Sequence, residues 1–341
     1  MELKTLSELC GVSGREERVR QAVLTACERI AGKENVTVDR MGNVVVHKAG
    51  RNAQAPRRMV SAHMDEAGLM AISATDEGLL NIRPIGDVDA RMLVSKRVLV
   101  GYPQEGQEPL YGVIGAMAIH LQTAEDRKNV LPIGQLYVDI GAKDKDEALA
   151  KAPMGTPVTF VADCVPFGQN KLRGKALDGR VGCYNLLRLL NADVAGDTDF
   201  VFTTLYEVGG KGATGAAYRL CPDEALLLEG AQANDLGDAD KTRRLCRLGG
   251  GVAVSFMDRG GIAQPDLFRQ LMNLAQKHGV AHQVEETVSP AGESSGVQRQ
   301  HSGVKTCVLG VPVRYPRTPM GVVDLGDVEA QYQLARCWLE N

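Results

Sequence analysis

DTDFVFTTLYEVGGKGATGAAYRLCPDEALLLEGAQAND, residues 197–235, decides the architecture. DTDFVFTTLYEVG has the aromatic and β-branched content of a strand and an acidic end. KGATGAAYRL reads as a helix, and EALLLEGAQAND as a second strand with an acidic end. Strand, helix and strand in that order imply parallel strands with helical cover on both faces. The pattern continues toward the C-terminus. LFRQLMNLAQKHG lies in a helix predicted over 266–279, VKTCVLGVPV (304–313) reads as a strand, and GDVEAQYQLARCWLE (326–340) as a closing helix. Upstream, DGRVGCYNLLRLLNA (178–192) reads as a helix and RRMVSA (57–62) as a short strand ending in His63-Met64-Asp65-Glu66. VTVDRMGNVVVHK (36–48) reads as a hairpin turning at Gly42-Asn43, and residues 3–31 as two helices broken at Gly11–Gly14. Ser13 followed by Glu16 predicts a capping box for the second helix.

Residues 67–165 have another texture. LLNIRPIG, RMLVSKRVLVG, YGVIGA, QLYVDIGA and TPVTFVA are short β-like runs divided by Gly and Pro, with a short helix expected at 144–151. The expected fold is therefore α/β: a mostly parallel sheet with helices on both faces, formed by 1–66 and 166–341, with a small β-rich, barrel-like domain inserted at 67–165.

A net charge of −3 gives no footprint for nucleic acid, and aromatic residues at 4% give few stacking platforms. No run is long and apolar enough to span a bilayer, and MELKTLSELC lacks the features of a signal peptide. The eight cysteines are scattered without a C-x-x-C pair, which favours reduced, buried thiols and a cytoplasmic location over a zinc ribbon or a disulfide framework.

Ligands of open α/β sheets bind beyond the carboxyl ends of the strands. Four expected strand ends finish in polar residues: His63/Asp65, Tyr206/Glu207, Glu229 and Arg314–Arg317, with Asp178 just before a helix. One His and several carboxylates at one sheet edge suit Zn²⁺, Co²⁺ or Mn²⁺. Taken singly, Asp178 reads as a helix cap and the two glutamates as solvated strand ends. His-x-Asp after a buried strand says more, since the Asp can support the imidazole.

Read in order, these segments resemble the tetrahedral aminopeptidases, also called the glutamyl aminopeptidase family. SAHMDEAGLM (61–70) is similar to its His-x-Asp-Glu-x-Gly motif, and GKALDGRVG (174–182) to the segment of its bridging aspartate. TTLYEVGGKGA (203–213) resembles its Glu-Glu-Val-Gly segment, and VPVRYPRTPMGVVDLGDVE (311–329) its Arg-Tyr-x-His-Ser-Pro segment. YGVIGAMAIHL (111–121) and LYVDIGAKDKDEA (136–148) resemble its inserted domain. The resemblance implies a cytoplasmic peptidase with two co-catalytic metal ions, peptide substrates, and assembly through the inserted domain into dimers and a twelve-subunit shell.

Carried over residue by residue, one ion would be held by His63, Asp178 and Glu229, with Asp65 supporting the site. The second would use Asp178 and Glu207, but Arg317 stands where the family has histidine, and Tyr206 where it has the glutamate base. Asp178-Gly179-Arg180 replaces Asp-Asp-Arg, and Gly292-Glu293-Ser294 lacks the family's aspartate. Arginine offers no lone pair, and tyrosine is a poor base near neutrality. The expectation is one divalent ion or none, and a weak or inactive peptidase acting as a binding or assembly module. Two alternatives stand beside it. One is a one-metal or altered-chemistry hydrolase with Tyr206 as an oxyanion donor. The other is an active metal-dependent aminopeptidase completed by His278, His282, His301, Asp235, Asp238 or Asp240. A last expectation is that the Arg317 guanidinium pairs with Glu207 or Asp178 in place of the second ion.

Overall fold

A computed structural model describes residues 1–103, 106–124, 126–237, 245–285, 288 and 292–341. Helices α1 (Leu3–Glu8) and α2 (Glu17–Ala31) precede the hairpin of β1 (Val36–Val38) and β2 (Val44–Lys48), then β3 (Arg58–His63). Next come β4 (Gly68–Ala74), β5 (Leu80–Ile85), β6 (Arg97–Val100), β7 (Tyr111–Gly115), β8 (Tyr137–Asp139), α3 (Lys145–Lys151) and β9 (Pro157–Phe160). β10 (Val165–Pro166), β11 (Lys171–Gly174), α4 (Leu177–Leu189), β12 (Thr198–Thr203), α5 (Lys211–Leu220) and β13 (Glu224–Gln232) follow. The chain finishes with β14 (Val252–Ser255), α6 (Pro265–Lys277), β15 (His282–Val284), α7 (Ser294–Gln298), β16 (Lys305–Arg314), β17 (Gly321–Asp324) and α8 (Leu325–Glu340).

Eleven strands make one sheet, in the order β1-β2-β12-β3-β13-β16-β17-β11-β10, with β14 and β15 branching from β16. Its centre, β12-β3-β13-β16, is parallel, as the strand–helix–strand pattern requires. The flanks are antiparallel, so the sheet is mixed, and parallel pairing is found in the centre and in the β14–β15 branch. Alternation along each central strand divides the core. Val60, Ala62, Phe200, Phe202, Leu226 and Leu228 pack under α2, α4, α6 and α8. Met59, Val201, Ala225 and Leu227 face Ala213, Ala216 and Ala217 of α5 and Val297 of α7. Helices thus cover both faces.

Strands β4-β5-β8-β7-β6-β9 close a separate barrel around Leu69, Leu80, Ile82, Val98, Ile114, Val138 and Val158. No described helix is long and apolar enough to cross a membrane. A buried knot joins barrel and sheet. Glu66 accepts from Gly11 N at 2.9 Å, from Thr159 Oγ1 of β9 at 3.2 Å, and from Lys175 Nζ at 2.7 and 2.8 Å.

The capping box does not form. Helix α2 starts at Glu17 with no side-chain cap bond. Ser13 instead donates to Asp65 Oδ2, and Glu16 Oε1 accepts from the amides of Gly14 and Leu205, at 2.8 and 3.1 Å. Both side chains are spent on the loops at the strand ends.

Candidate functional site

The residues singled out in sequence meet beyond the carboxyl ends of β3, β12, β13 and β16. His63 is the last residue of β3, and Asp178 lies in the first turn of α4. Tyr206 and Glu207 sit in the turn between β12 and α5, and Arg317 in the loop between β16 and β17. Glu229 lies within β13, three residues before its end, rather than at a strand terminus. Eight described non-glycine residues have positive φ; Ala176, Leu205, Tyr315 and Arg317 are four of them. Strained backbone thus concentrates around these side chains, as it does at sites where geometry is imposed on the chain.

Asp65 organises the centre. It is fully buried, accepts from Ser13, and takes the amides of Tyr206 and Glu207 on its two oxygens at 3.1 and 3.0 Å. His63 Nδ1 lies 3.2 Å from the Asp65 carbonyl oxygen and 3.6 Å from its carboxylate. Burial disfavours both charges. The mutual attraction of the pair outweighs it, with the Asp65 carboxyl held low and the His63 ring pushed up to about 9.

Tyr206 lies flat on His63, with ring centroids 3.9 Å apart and planes 9° from parallel. Gly179 is also close, and a Cβ there would come within 2.5 Å of His63 Cε1 and 2.6 Å of Nδ1. The imidazole is therefore packed closely by both Tyr206 and Gly179. The Tyr206 hydroxyl donates to Glu229 Oε2 at 3.3 Å. Burial, then the nearby carboxylates, push that hydroxyl far above the usual phenol range, so it stays a donor.

Glu207 receives Arg317 Nε at 3.1 and 3.0 Å on its two oxygens. The pairing expected from the sequence is present, made by Nε alone rather than by the two-nitrogen fork. Gly86, in the loop after β5 of the barrel, roofs this carboxylate; its φ is +80°, and a Cβ there would meet Glu207 Oε2 at 2.5 Å. Burial pushes Glu207 up to about 7 against the opposing pull of Arg317.

Two more acids belong to this centre: Glu293, met in the sequence only within a replaced segment, and Asp258, which no sequence pattern singled out. Glu293 is 1% exposed and accepts from Thr203 Oγ1 at 3.1 Å, and burial with the nearby Glu229 pushes it up to about 8. Asp258 accepts from Ser294 and from the amides of Gly260 and Gly261, which accounts for Ser294 at the position where an aspartate is missing. Burial pushes Glu229 up to about 7, against the pull of the Tyr206 hydroxyl and the Glu293 amide. His63, Asp178, Tyr206, Glu229, Asp258, Glu285 and Arg317 line a cavity of about 70 Å³.

The spare candidates lie elsewhere. Asp235 is held by Arg314 at 2.6 and 2.8 Å. His278 caps α6, and His282 Nδ1 bonds the Val280 carbonyl. His301 stacks on Tyr218, 5.0 Å between centroids. Asp238 and Asp240 lie outside the described residues. Among the described residues, no three His, Cys, Asp or Glu side chains are grouped as ligands of one ion. As arranged, with Glu207 taken by a guanidinium, these residues do not fit a pair of metal ions.

The model of the M42 glutamyl aminopeptidase family matches residues 42–334. The lysyl aminopeptidase of Pyrococcus furiosus is 29% identical over 345 residues, covering 99% of this chain and 96% of its own. The structure of an aminopeptidase from Desulfurococcus kamchatkensis superposes with a TM-score of 0.91 at 31% identity, covering 99% of this chain and 93% of that one. The TET1 peptidase of Pyrococcus horikoshii, described as assembling into a tetrahedron or a large octahedral shell, gives 0.85 at 29% identity, over 99% and 98% of the two chains.

Proposed function

We propose that this chain, which belongs to the M42 glutamyl aminopeptidase family, is a homo-oligomeric, cytoplasmic member that has exchanged two-metal hydrolysis for binding. One observation carries the reading: a guanidinium, with Nε 3.0 Å from Glu207, stands at the position of the second ion's histidine. A cation paired with that carboxylate repels a divalent ion from it. Tyr206, at the position of the base, is a donor to Glu229 and takes up no proton near neutrality. In the two-metal mechanism the ions acidify a bridging water and the base carries its proton to the leaving amine. In this chain neither the second ion nor the base has its residue. His63, Asp178 and Glu229 remain as ligands for one ion at most.

The barrel, taken as a domain of residues 67–165, is the assembly unit. Met117, Ile119, Leu121 and Val130 are 54, 70, 66 and 56% exposed on it, an apolar patch that a second copy would cover. Light scattering should give an oligomer, and Ile119→Asp with Leu121→Asp should reduce its size.

The catalytic reading is tested with aminoacyl chromogenic substrates in Zn²⁺, Co²⁺ or Mn²⁺, together with a metal count per subunit. Negligible turnover and at most one ion are expected. Turnover of roughly 1–1000 per second, or two ions per subunit, returns the chain to the active aminopeptidases. The double change Tyr206→Glu with Arg317→His restores the family's residues, so activity gained there assigns the loss to those two positions.

A further inference from the structure

Helix α5 starts at Lys211, shortly after Glu207, and ends at Leu220, about 15 Å away at the ordinary helical rise. Its far end carries a second group of chemically active side chains. Cys221 is the C-cap, and its Sγ lies 2.9 Å from Nε2 of His301, in the turn after α7. The same Nε2 lies 2.5 Å from the carbonyl oxygen of Tyr218, in the last turn of α5. A carbonyl oxygen only accepts, which assigns the hydrogen to Nε2. The sulfur therefore lies beside a donated N–H. The Tyr218 and His301 rings stack 11° from parallel, which holds the imidazole in place.

The backbone carries these two side chains under strain. Cys221 and His301 have φ of +50° and +49°, a conformation that glycine adopts with far less strain, and glycine is the usual occupant just past a helix C-terminus. The other cysteines have a different setting. Cys27, Cys164, Cys183, Cys246 and Cys307 are buried and Cys10 and Cys337 half-buried, whereas Cys221 is exposed. Burial pushes the Cys10 and Cys337 thiols up, away from the thiolate that reacts. Tyr218 is itself 65% exposed, so the approach to the Cys221–His301 pair lies open to solvent.

We propose that Cys221 and His301 form a thiol-exchange site, at which the exposed sulfur is capped by a low-molecular-weight disulfide. The Cys221 sulfur attacks one sulfur of the disulfide; a new S–S bond forms as the old one breaks, and one half departs as a thiolate. Cys221 is oxidised to a mixed disulfide and the departing half is reduced to a thiol, which takes up the proton that Cys221 gives up. One thiol and one disulfide enter, one of each leaves, and no other oxidant is consumed. His301 is the positioning residue, because its N–H is the complement of the charge on the attacking sulfur. The product is a covalent mark on the far end of the helix that begins beside Glu207. This inference is independent of how the metal site is read.

The test uses the full-length protein, reduced, freed of reductant and metal, and mixed with oxidised glutathione. Intact mass and mapping of the modified peptide follow the reaction. One adduct per chain should form, on Cys221. Exposure alone would give that much, so the rate is compared with that of the same cysteine in protein unfolded in urea, where His301 is no longer beside it. The folded protein should react about tenfold faster, the rate factor for one charge-assisted hydrogen bond. His301→Phe keeps a ring against Tyr218 and removes the N–H, so it should bring the folded rate down to the unfolded one. An adduct on Cys10 or Cys337 ahead of Cys221 overturns the proposal, as does an unchanged rate in His301→Phe. So does a folded rate no faster than the unfolded one, a result that needs no variant to fold. A covalent dimer through Cys221 in place of the mixed disulfide overturns it too.

Discussion

Replacing Arg317 by alanine should destabilise the protein by an amount that depends on pH in a calculable way. The Glu207 side chain is 2% exposed, and with Arg317 beside it the carboxyl titrates at about 7, against an ordinary value near 4.5. Its folded pKa is raised, so the folded state holds its proton more tightly than the unfolded chain does. The stability this proton contributes is present below the unfolded pKa and is lost as pH rises toward 7. Above 7 the native carboxyl is ionised and the loss stops. Without the guanidinium, burial and Asp178 push Glu207 higher still, so the variant keeps losing stability where the native protein has levelled off. Each pH unit is worth about 1.36 kcal/mol, so the difference at roughly pH 8.5 is about 2 kcal/mol. Below about pH 6 it shrinks to the small, constant loss of packing along the arginine stem. Urea unfolding at fixed protomer concentration measures this directly. In a Glu207→Gln background the pH dependence of Arg317→Ala should vanish. An equal loss at about pH 5.5 and 8.5 would refute the argument and reduce the pair to packing.

Three further outcomes follow from the same centre. Gly179→Ala places a methyl within 2.5 Å of the His63 ring, so it should cost on the order of 1–3 kcal/mol in urea unfolding and break the stack on Tyr206; no change would mean that the ring is not closely packed. Tyr206→Phe removes the hydroxyl that lowers Glu229, so carbon NMR of that carboxyl should place its pKa above the present value of about 7. Glu293 titrates at about 8, again raised, so it costs stability as pH climbs from about 5 to 8; Glu293→Gln should flatten that fall by up to about 1.36 kcal/mol per pH unit, and an unaltered slope would place the proton elsewhere.

Much of this was legible in residue order, and the failures have physical reasons. The central strands are long and apolar enough to declare themselves, and a ten-residue helix between two of them fixes their parallel sense. One antiparallel flank shows itself as the hairpin at 36–48; the other is made of runs of two to four residues, such as Val165–Pro166 and Gly321–Asp324, too short for alternation to be visible. Ser13 and Glu16 carry the spacing of a cap, yet the aspartate and the amides that recruit them arrive from residues 65 and 205, which no local pattern reports. Glu229 reads as a strand end because nothing between Leu228 and Gln232 signals that β13 continues. Glu293, in a run of Gly and Ser, has the look of a solvated loop carboxylate. Its only trace is the replaced segment Gly292-Glu293-Ser294, and burial of a glutamate is a property of the assembled core. Arg317 was the most informative position, since a fixed charge beside retained carboxylates permits few geometries.

The buried knot at Glu66 also dictates an order of events during folding. Its bond to Lys175 spans 109 positions, an excursion that contains the whole barrel. Were that stretch still random coil, drawing its ends together would carry the full entropic penalty of a long loop. The barrel removes the penalty itself. β4 and β9 are its first and last strands, and they pair directly, Leu69 with Val158 and Met70 with Pro157, which sets the start and finish of the excursion side by side. Barrel closure should therefore precede completion of the surrounding sheet, and a lesion at the β4–β9 seam, far from any catalytic chemistry, should appear first as slow refolding of the sheet.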